Sequence, residues 1–278
     1  MNGRVNGRVE LVGAPASGKT TLVSALAGRR IPGGPRPARW LMPADRLGLV
    51  PRGALGGIAG SIGRPRVLAA LARSPRLAAR LLTSGDTTPQ LPEWLAELQE
   101  DVTRIARARV PAGPRGDAAY RRQAFHWLEE TLLLIDAADR ADPQLVPILS
   151  EGLVQRSVTL LGSDADPMDR AALVRRFPAP QLLVHLESAT AARAARLRAR
   201  HASGGSTALH TGRSLEDVYR LAEEDARALS DTVALVERAG WPVLRLDATD
   251  RDGVEALAAR VIATLTDIAR RDPPSSGH

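Results

Sequence analysis

The chain has 278 residues, 44% of them hydrophobic, with a formal net charge of +7 and a pI near 11.0. That apolar content excludes an intrinsically disordered chain and suffices for a large domain with a packed core. With no cysteine there is neither disulfide nor thiolate metal site, and the five histidines (His126, His185, His201, His210 and His278) lack ligand spacing.

The basic excess alone would suit an acidic partner such as nucleic acid. Two features weigh against it. Lys and Arg together number 38, yet Lys19 is the only lysine, so arginine stands wherever positive charge is tolerated. Aromatic residues make up 3%, too few for the stacking surfaces of single-strand binders. The first eight residues lack the apolar run of a signal peptide, and no stretch reaches the ~20 apolar residues that span a bilayer. The expectation is a cytoplasmic protein with no membrane partner.

In chain order, Val9–Val12 reads as a short buried strand that breaks at Gly13. Gly13-Ala14-Pro15-Ala16-Ser17-Gly18-Lys19-Thr20 then matches the phosphate-binding P-loop pattern G-x-x-x-x-G-K-[ST]. Because lysine occurs once, a chance match anywhere in the chain has a probability of roughly one in a thousand. From Lys19 to about Arg29, Leu22, Val23, Leu26 and Ala27 recur at helical spacing. Glycines let backbone N–H groups turn onto an anion, and the helix adds its positive end. Gly13, Ala14, Pro15, Ala16, Ser17, Gly18, Lys19, Thr20 and Thr21 are therefore the predicted nucleotide-binding residues. Lys19 is assigned to the β- and γ-phosphates, and the Thr20 hydroxyl to a Mg²⁺ arriving with ATP.

Ala38–Met42 reads as a second strand, with Pro43-Ala44-Asp45-Arg46 at its exit. The glycine-rich stretch 53–63 resists assignment, and 66–82 patterns as basic amphipathic helix. Glu93–Arg109 and Asp117–Ala138 pattern as helices. Leu132-Leu133-Leu134-Ile135-Asp136 resembles a strand ending in aspartate, yet Trp127, Leu128, Leu132 and Ile135 continue helical spacing, which favours helix. Val146–Leu149 is the next strand, with Ser150-Glu151-Gly152 at its carboxyl end and a helix over Leu153–Leu161. Gln181–Leu186 is a strand, followed by an arginine-rich helix to about Arg200. His201–Gly212 is polar, Ser214–Ala239 helical, Trp241–Asp247 the last strand and Gly253–Ile268 the last helix. Strands alternating with helices predict an α/β fold, a parallel sheet flanked by helices on both faces.

Three segments carry a resemblance. Ser150-Glu151-Gly152-Leu153-Val154-Gln155-Arg156 places an acid and an arginine after a strand. Arg193-Ala194-Ala195-Arg196-Leu197-Arg198-Ala199-Arg200 sets arginines one helical turn apart. Leu246-Asp247-Ala248-Thr249 closes the last strand. With the P-loop, their order resembles the P-loop nucleoside and nucleotide kinases, notably the thymidylate kinase and deoxynucleoside kinase branch, over about 7–45 and 145–268.

The resemblance implies a three-layer P-loop kinase-like fold, one domain over 1–270, with a helical acceptor-side insertion at 45–140, an arginine-containing lid at 189–214 and a tail at 271–278. It implies transfer of the ATP γ-phosphate to a hydroxyl or phosphate acceptor: a nucleoside, a nucleotide or a secondary metabolite such as an antibiotic. Glu151 is then base or Mg²⁺ holder, with Asp45 the competing base. Arg196 and Arg200 offset charge on the transferring phosphate, and Arg156 and Arg46 bind acceptor. Ser150 departs from the pattern, since many P-loop enzymes carry aspartate there. A homodimer is compatible with the sequence. A regulatory or nucleic-acid-associated ATPase, and a kinase of modified bases in polynucleotide, are the competing readings.

Overall fold

The computed structural model describes residues 7–32, 39–43, 93–108, 113–140, 145–204, 212–249 and 253–271. In chain order these form β1 (Val9–Val12), α1 (Lys19–Leu26), β2 (Arg30–Ile31), β3 (Arg39–Pro43), α2 (Glu93–Ala108), a 3-10 turn (Gly113–Gly116), α3 (Ala118–Arg140), β4 (Leu145–Leu149), α4 (Leu153–Leu161), α5 (Pro167–Val174), β5 (Leu182–Glu187), α6 (Thr190–Ala202), α7 (Leu215–Arg238), β6 (Val243–Asp247) and α8 (Gly253–Arg271).

The strands form one sheet in the order β2-β3-β4-β1-β5-β6. Every pairing from β3 to β6 is parallel, and the two-residue β2 adds antiparallel to β3 at the edge. β1 lies between β4 and β5, with Val9 opposite both Ile148 and Leu182, and all four of its residues are buried. The α/β layering expected from the alternation of elements is present, and the chain's direction of travel across the sheet reverses around β1. In open parallel sheets, ligand crevices lie outside the carboxyl ends of the strands at such a reversal.

Strand alternation divides the core. On one face Val12, Leu145, Leu149 and Leu183 pack under α2, α3, α4, α5 and α7. On the other, Val9, Leu11, Ile148, Val184 and Leu186 pack under α1 and α8. Each face buries apolar area worth about 25 cal/mol per Å² removed from water, and neither side of the sheet could stay wet.

α7 shows how sequence sets these helices. Ser214 accepts a hydrogen bond from the Asp217 backbone N–H at 3.1 Å, Glu216 and Asp217 occupy the first turn, and Arg238 sits in the last. Its buried stripe runs Val218, Leu221, Ala222, Asp225, Ala228, Leu229, Thr232, Val233 and Val236, so a carboxylate sits at a core phase.

The helix reading of Leu132–Ile135 holds: that run lies within α3, whose Leu128, Leu132 and Ile135 are buried, and Asp136 sits on the helix backbone rather than at a strand end. Two elements escaped the sequence reading. β2 is too short to show periodicity. α5 begins at Asp166-Pro167, where the Asp166 carboxylate accepts from Met168 N at 2.7 Å. The stretches 53–63 and 66–82 lie outside the described residues.

One buried ion pair at the start of β1 shapes the crevice. Arg8 Nε donates to Glu10 Oε1 at 2.7 Å with both side chains fully buried. Glu10 Oε2 accepts from the Leu153 backbone N–H at 3.0 Å, and Arg8 Nη2 donates to the Pro178 carbonyl at 2.6 Å. A strand carboxylate thus satisfies an amide at the start of α4 and interacts favourably with its positive end, fixing the turn that carries Glu151.

Candidate functional site

The β1–α1 loop is a tight concavity at the centre of the sheet. Gly13 has no room for a side chain, since a Cβ there would lie 2.6 Å from the Leu186 carbonyl oxygen and 2.7 Å from Ser17 Oγ. Its N–H donates to Gln155 Oε1 at 3.2 Å, and Ser17 N closes a turn on the Ala14 carbonyl at 3.1 Å. Ala16 has φ +64° and Gly18 φ +101°, whereas Pro15 and Ser17 do not enter the positive-φ region. Alternation of φ sign in successive residues turns backbone N–H groups to one side, the geometry of an anion-binding nest. No side chain caps the first turn of α1, so its leading amides add to the same concavity.

Lys19 is buried, and its ammonium donates to the carbonyls of Gly13 at 2.5 Å and Ala14 at 3.3 Å. Burial lowers its pKa from the usual 10.5. Glu151 and Asp225 pull it back up, while Arg200 and Arg156 push it further down. Those four groups surround the amine electrostatically and come from α4 with its preceding turn, α6 and α7.

They share one cleft of about 520 Å³ with the loop. Pro15, Ala16, Ser17, Gly18, Lys19, Thr20 and Thr21 form its floor. Glu151, Gln155, Arg156 and Thr159 form one wall, Tyr120 and Trp127 of α3 another, and Arg196, Arg200 and Asp225 the remainder. Thr20 and Thr21 are exposed to it.

Arg156 Nη1 donates to Glu151 Oε2 at 2.9 Å and Nε to Thr131 Oγ1 at 3.1 Å. Its guanidinium carbon lies 5.6 Å from the Trp127 ring centroid, within cation–π range. On the far side, Arg196 Nη1 donates to the Ala16 carbonyl at 3.0 Å and Nη2 to the Ala248 carbonyl at 3.2 Å, tying the β1–α1 loop to the turn after β6. α6 holds this position through Arg193, which is buried and bonds to Glu223 Oε1 at 2.5 Å and to the Ser188 carbonyl. Arg200 is exposed on the next turn.

Thus Lys19, Thr20, Glu151, Arg156, Arg196 and Arg200 are gathered into one cleft from segments 180 residues apart, as Ala16 and Arg196 illustrate. Asp45 and Arg46 lie outside the described residues. Sequence reasoning missed Asp225, Gln155, Thr159 and Arg115. Asp225 accepts from Arg115 Nη2, and Arg115 Nη1 donates to Ser163 Oγ at 2.8 Å. Burial raises the Asp225 pKa from 3.8 to about 6 against the opposing pull of Arg115. The signal was in the periodicity: Leu221, Ala222, Asp225, Ala228 and Leu229 fall on one helical stripe, which sets Asp225 apart from Glu223 and Glu224.

Among the described residues no group of three His, Asp or Glu could hold a metal ion unaided, and no helix is long and apolar enough to cross a membrane.

No family model matches the sequence, and no curated protein is similar to it at a significant level. Among solved structures, one from Chloroflexus aurantiacus J-10-fl, described only provisionally as a kinase, aligns over 94% of this chain and 99% of its own at 16% identity and a TM-score of 0.32. A superposition that loose bears on neither fold nor activity. The chain's own residues must define the function.

Proposed function

We propose that the chain is an ATP-dependent small-molecule kinase, with the Gly13–Thr20 segment acting as a P-loop for the triphosphate. The observation that carries this reading is the alternating-φ concavity at the amino end of α1, with the only lysine of the chain buried at its base. Converging amides and a lysine favour an anion over a neutral acceptor, and a phosphate chain satisfies both.

In this reading the backbone amides at the loop's end and in the first turn of α1 bind the phosphates, and Lys19 exchanges its bonds to the Gly13 and Ala14 carbonyls for phosphate oxygens. Arg196 and Arg200 supply positive charge at the mouth of the concavity, where negative charge shifts during transfer. Thr20 and Glu151 offer the hard oxygen donors that suit Mg²⁺, and both line the cleft. That ion would supply charge neutralisation on the phosphates. Glu151, turned toward the cleft and hydrogen-bonded to Arg156, is the described carboxylate best placed to take a hydroxyl proton. Arg156 holds it and adds to the acceptor wall. Holding donor and acceptor in line accounts for most of the catalysis such a site can give.

The test is transfer of label from γ-labelled ATP. Label on a small molecule, abolished in Lys19→Ala while the far-UV circular dichroism is unchanged, is the expected result. Release only as free phosphate would make the protein an ATPase, and label on polynucleotide a nucleic-acid kinase. Full activity in Lys19→Ala would refute the assignment of the loop.

A further inference from the structure

β1 and α4 are clamped to each other twice. Glu10 of β1 accepts from the Leu153 N–H at the start of α4 at 3.0 Å. Gln155, two residues further along α4, reaches back to the end of β1, where its Oε1 accepts from the Gly13 N–H at 3.2 Å. The Gln155 side chain is therefore fixed between two rigid elements. The residue is 8% exposed, and glutamine is mostly a surface residue, so its burial calls for a reason.

Only half of that amide is used. The contact with Gly13 assigns Oε1 as the acceptor and leaves the two N–H donors of Nε2. Among the described residues neither has a hydrogen-bond partner, and the nitrogen is not sealed from its surroundings. Gln155 lines the cleft over the β1–α1 loop, together with Glu151 and Thr159. A nine-tenths buried amide with free donors facing an anion-binding loop is completed by a ligand that accepts.

Its neighbours identify the accepting atom. Gly13 is bonded on both sides: its N–H to Gln155, and its carbonyl to the Lys19 ammonium at 2.5 Å. An oxygen that draws Lys19 off that carbonyl arrives beside the Gln155 carboxamide. Glu151 lies four residues before Gln155 and faces the same cleft. The amide thus stands between the cation assigned to the terminal phosphates and the carboxylate assigned to the acceptor. Its type suits the place. A cation there would pair with Glu151 and neutralise it, and a carboxylate would repel phosphate, whereas an amide donates without net charge.

Resting on the kinase reading, we propose that Gln155 Nε2 donates to oxygens of the γ-phosphate and so distinguishes a triphosphate from a diphosphate in the donor site. During transfer the acceptor oxygen bonds to the γ-phosphorus. The bond from that phosphorus to the β,γ-bridging oxygen breaks, its electron pair leaves with ADP, and the proton of a hydroxyl acceptor passes to Glu151. The Nε2 donors stay on the non-bridging oxygens of the moving group, where a preorganised N–H stabilises the shifting charge.

The test needs no acceptor. The full chain is titrated by calorimetry with Mg²⁺ and ADP, and separately with Mg²⁺ and the non-transferable β,γ-imido analogue of ATP. The ratio of the two affinities reports the γ-phosphate alone. Gln155→Met removes the donors without adding charge. It should shift the ratio about ten- to hundredfold toward ADP, the loss of a hydrogen bond to a charged group, and leave MgADP affinity within about threefold. Gln155→Glu keeps an acceptor for the Gly13 N–H, should shift the ratio at least as far, and decides alone if the methionine variant fails to fold. A ratio within about twofold of the natural chain's in either folded variant overturns the inference: the amide then only holds the loop, and the kinase reading stands. Failure of the natural chain to bind either nucleotide removes the P-loop assignment and this inference with it.

Discussion

Replacing Gly152 by alanine should cost more than its size suggests. Gly152 has φ −85° and ψ −168°, a conformation open to any residue, so backbone strain is not the issue. Space is: an added Cβ would lie 2.1 Å from Glu10 Oε2, 2.4 Å from Cδ and 2.6 Å from Cγ. Glu10 cannot withdraw freely, because Arg8 holds Oε1 at 2.7 Å, Leu153 N–H holds Oε2 at 3.0 Å, and the side chain is fully buried. Breaking one charge-assisted bond costs about 1.5–3 kcal/mol. Overpacking adds about 1–3 kcal/mol. The entropic gain of Gly→Ala in the unfolded chain returns only about 0.4–1 kcal/mol. The net expectation is a loss of about 3 kcal/mol, a large fraction of the roughly 5–15 kcal/mol that holds a domain together. Urea denaturation should show a lower midpoint at constant slope. Arg8→Met/Glu10→Leu/Gly152→Ala, which removes the pair and the crowding together, should recover most of the loss. A single-variant loss below about 1 kcal/mol would show that Glu10 is not fixed as described, and with it that Glu151 is not positioned by this contact.

Arg196→Ala removes two hydrogen bonds at an exposed position, so stability should change by no more than about 1 kcal/mol, whereas kcat should fall about 10²–10³-fold. Steady-state kinetics beside thermal melts test this, and an unaltered kcat would remove Arg196 from the transfer step. Two buried groups should give opposing pH dependences. Burial chiefly, with Arg245 and Lys19 adding to it and Glu187 and Glu237 resisting, lowers the His185 pKa from 6.5 to about 4. The unfolded chain then holds the extra proton between those values, so this contribution is present above pH 6.5 and is lost as pH falls toward 4, about 3 kcal/mol in all. Asp225, raised from 3.8 to about 6 by burial, with Arg115 and Lys19 resisting and Glu224 adding to it, keeps its proton in the folded state within that window, so stability falls by about 3 kcal/mol as pH rises through it. The slopes nearly cancel in the natural chain. Urea midpoints between pH 4 and 6.5 should rise with pH in Asp225→Asn and fall in His185→Gln, and identical slopes in both variants would refute the assignment.

What the sequence disclosed follows from where single positions are chemically constrained. The Gly13–Thr20 segment was legible because backbone geometry demands glycine at Gly13 and Gly18, and the chain spends its only lysine there. Leu145–Leu149 and Leu182–Glu187 were legible as parallel strands because burial on both faces requires apolar runs bounded by polar exits. Glu151, Arg156 and Arg196 were within reach because each sits at the exit of a strand or on the helix after it. Asp225 and Arg115 were not, because their meaning arises from a contact across 110 residues and from the phase of a helix with acids on several sides. Glu10 escaped for a similar reason: inside an apolar tetrapeptide it becomes intelligible only when the start of α4 is found above it.

On β1, β5 and β6 the exceptions to apolar patterning share one direction. Arg8 just before β1 and Glu10 on it, His185 and Glu187 on β5, and Arg245 on β6 fall at period-two positions on the face covered by α4 and α7. Arg245 binds Glu187 and Glu237 at 2.9 Å, so this sheet face carries its charges in pairs, as Arg8–Glu10 does nearer its centre. Buried pairs contribute little net stability over apolar residues of equal volume, yet breaking one is expensive, so their effect is to fix geometry rather than to add cohesion. Applied to the cleft, the same logic separates two kinds of cation. Glu151–Arg156 and Asp225–Arg115 hold a neutral, shaped wall, while Lys19 and Arg196 rest on carbonyls that a bound anion can outbid.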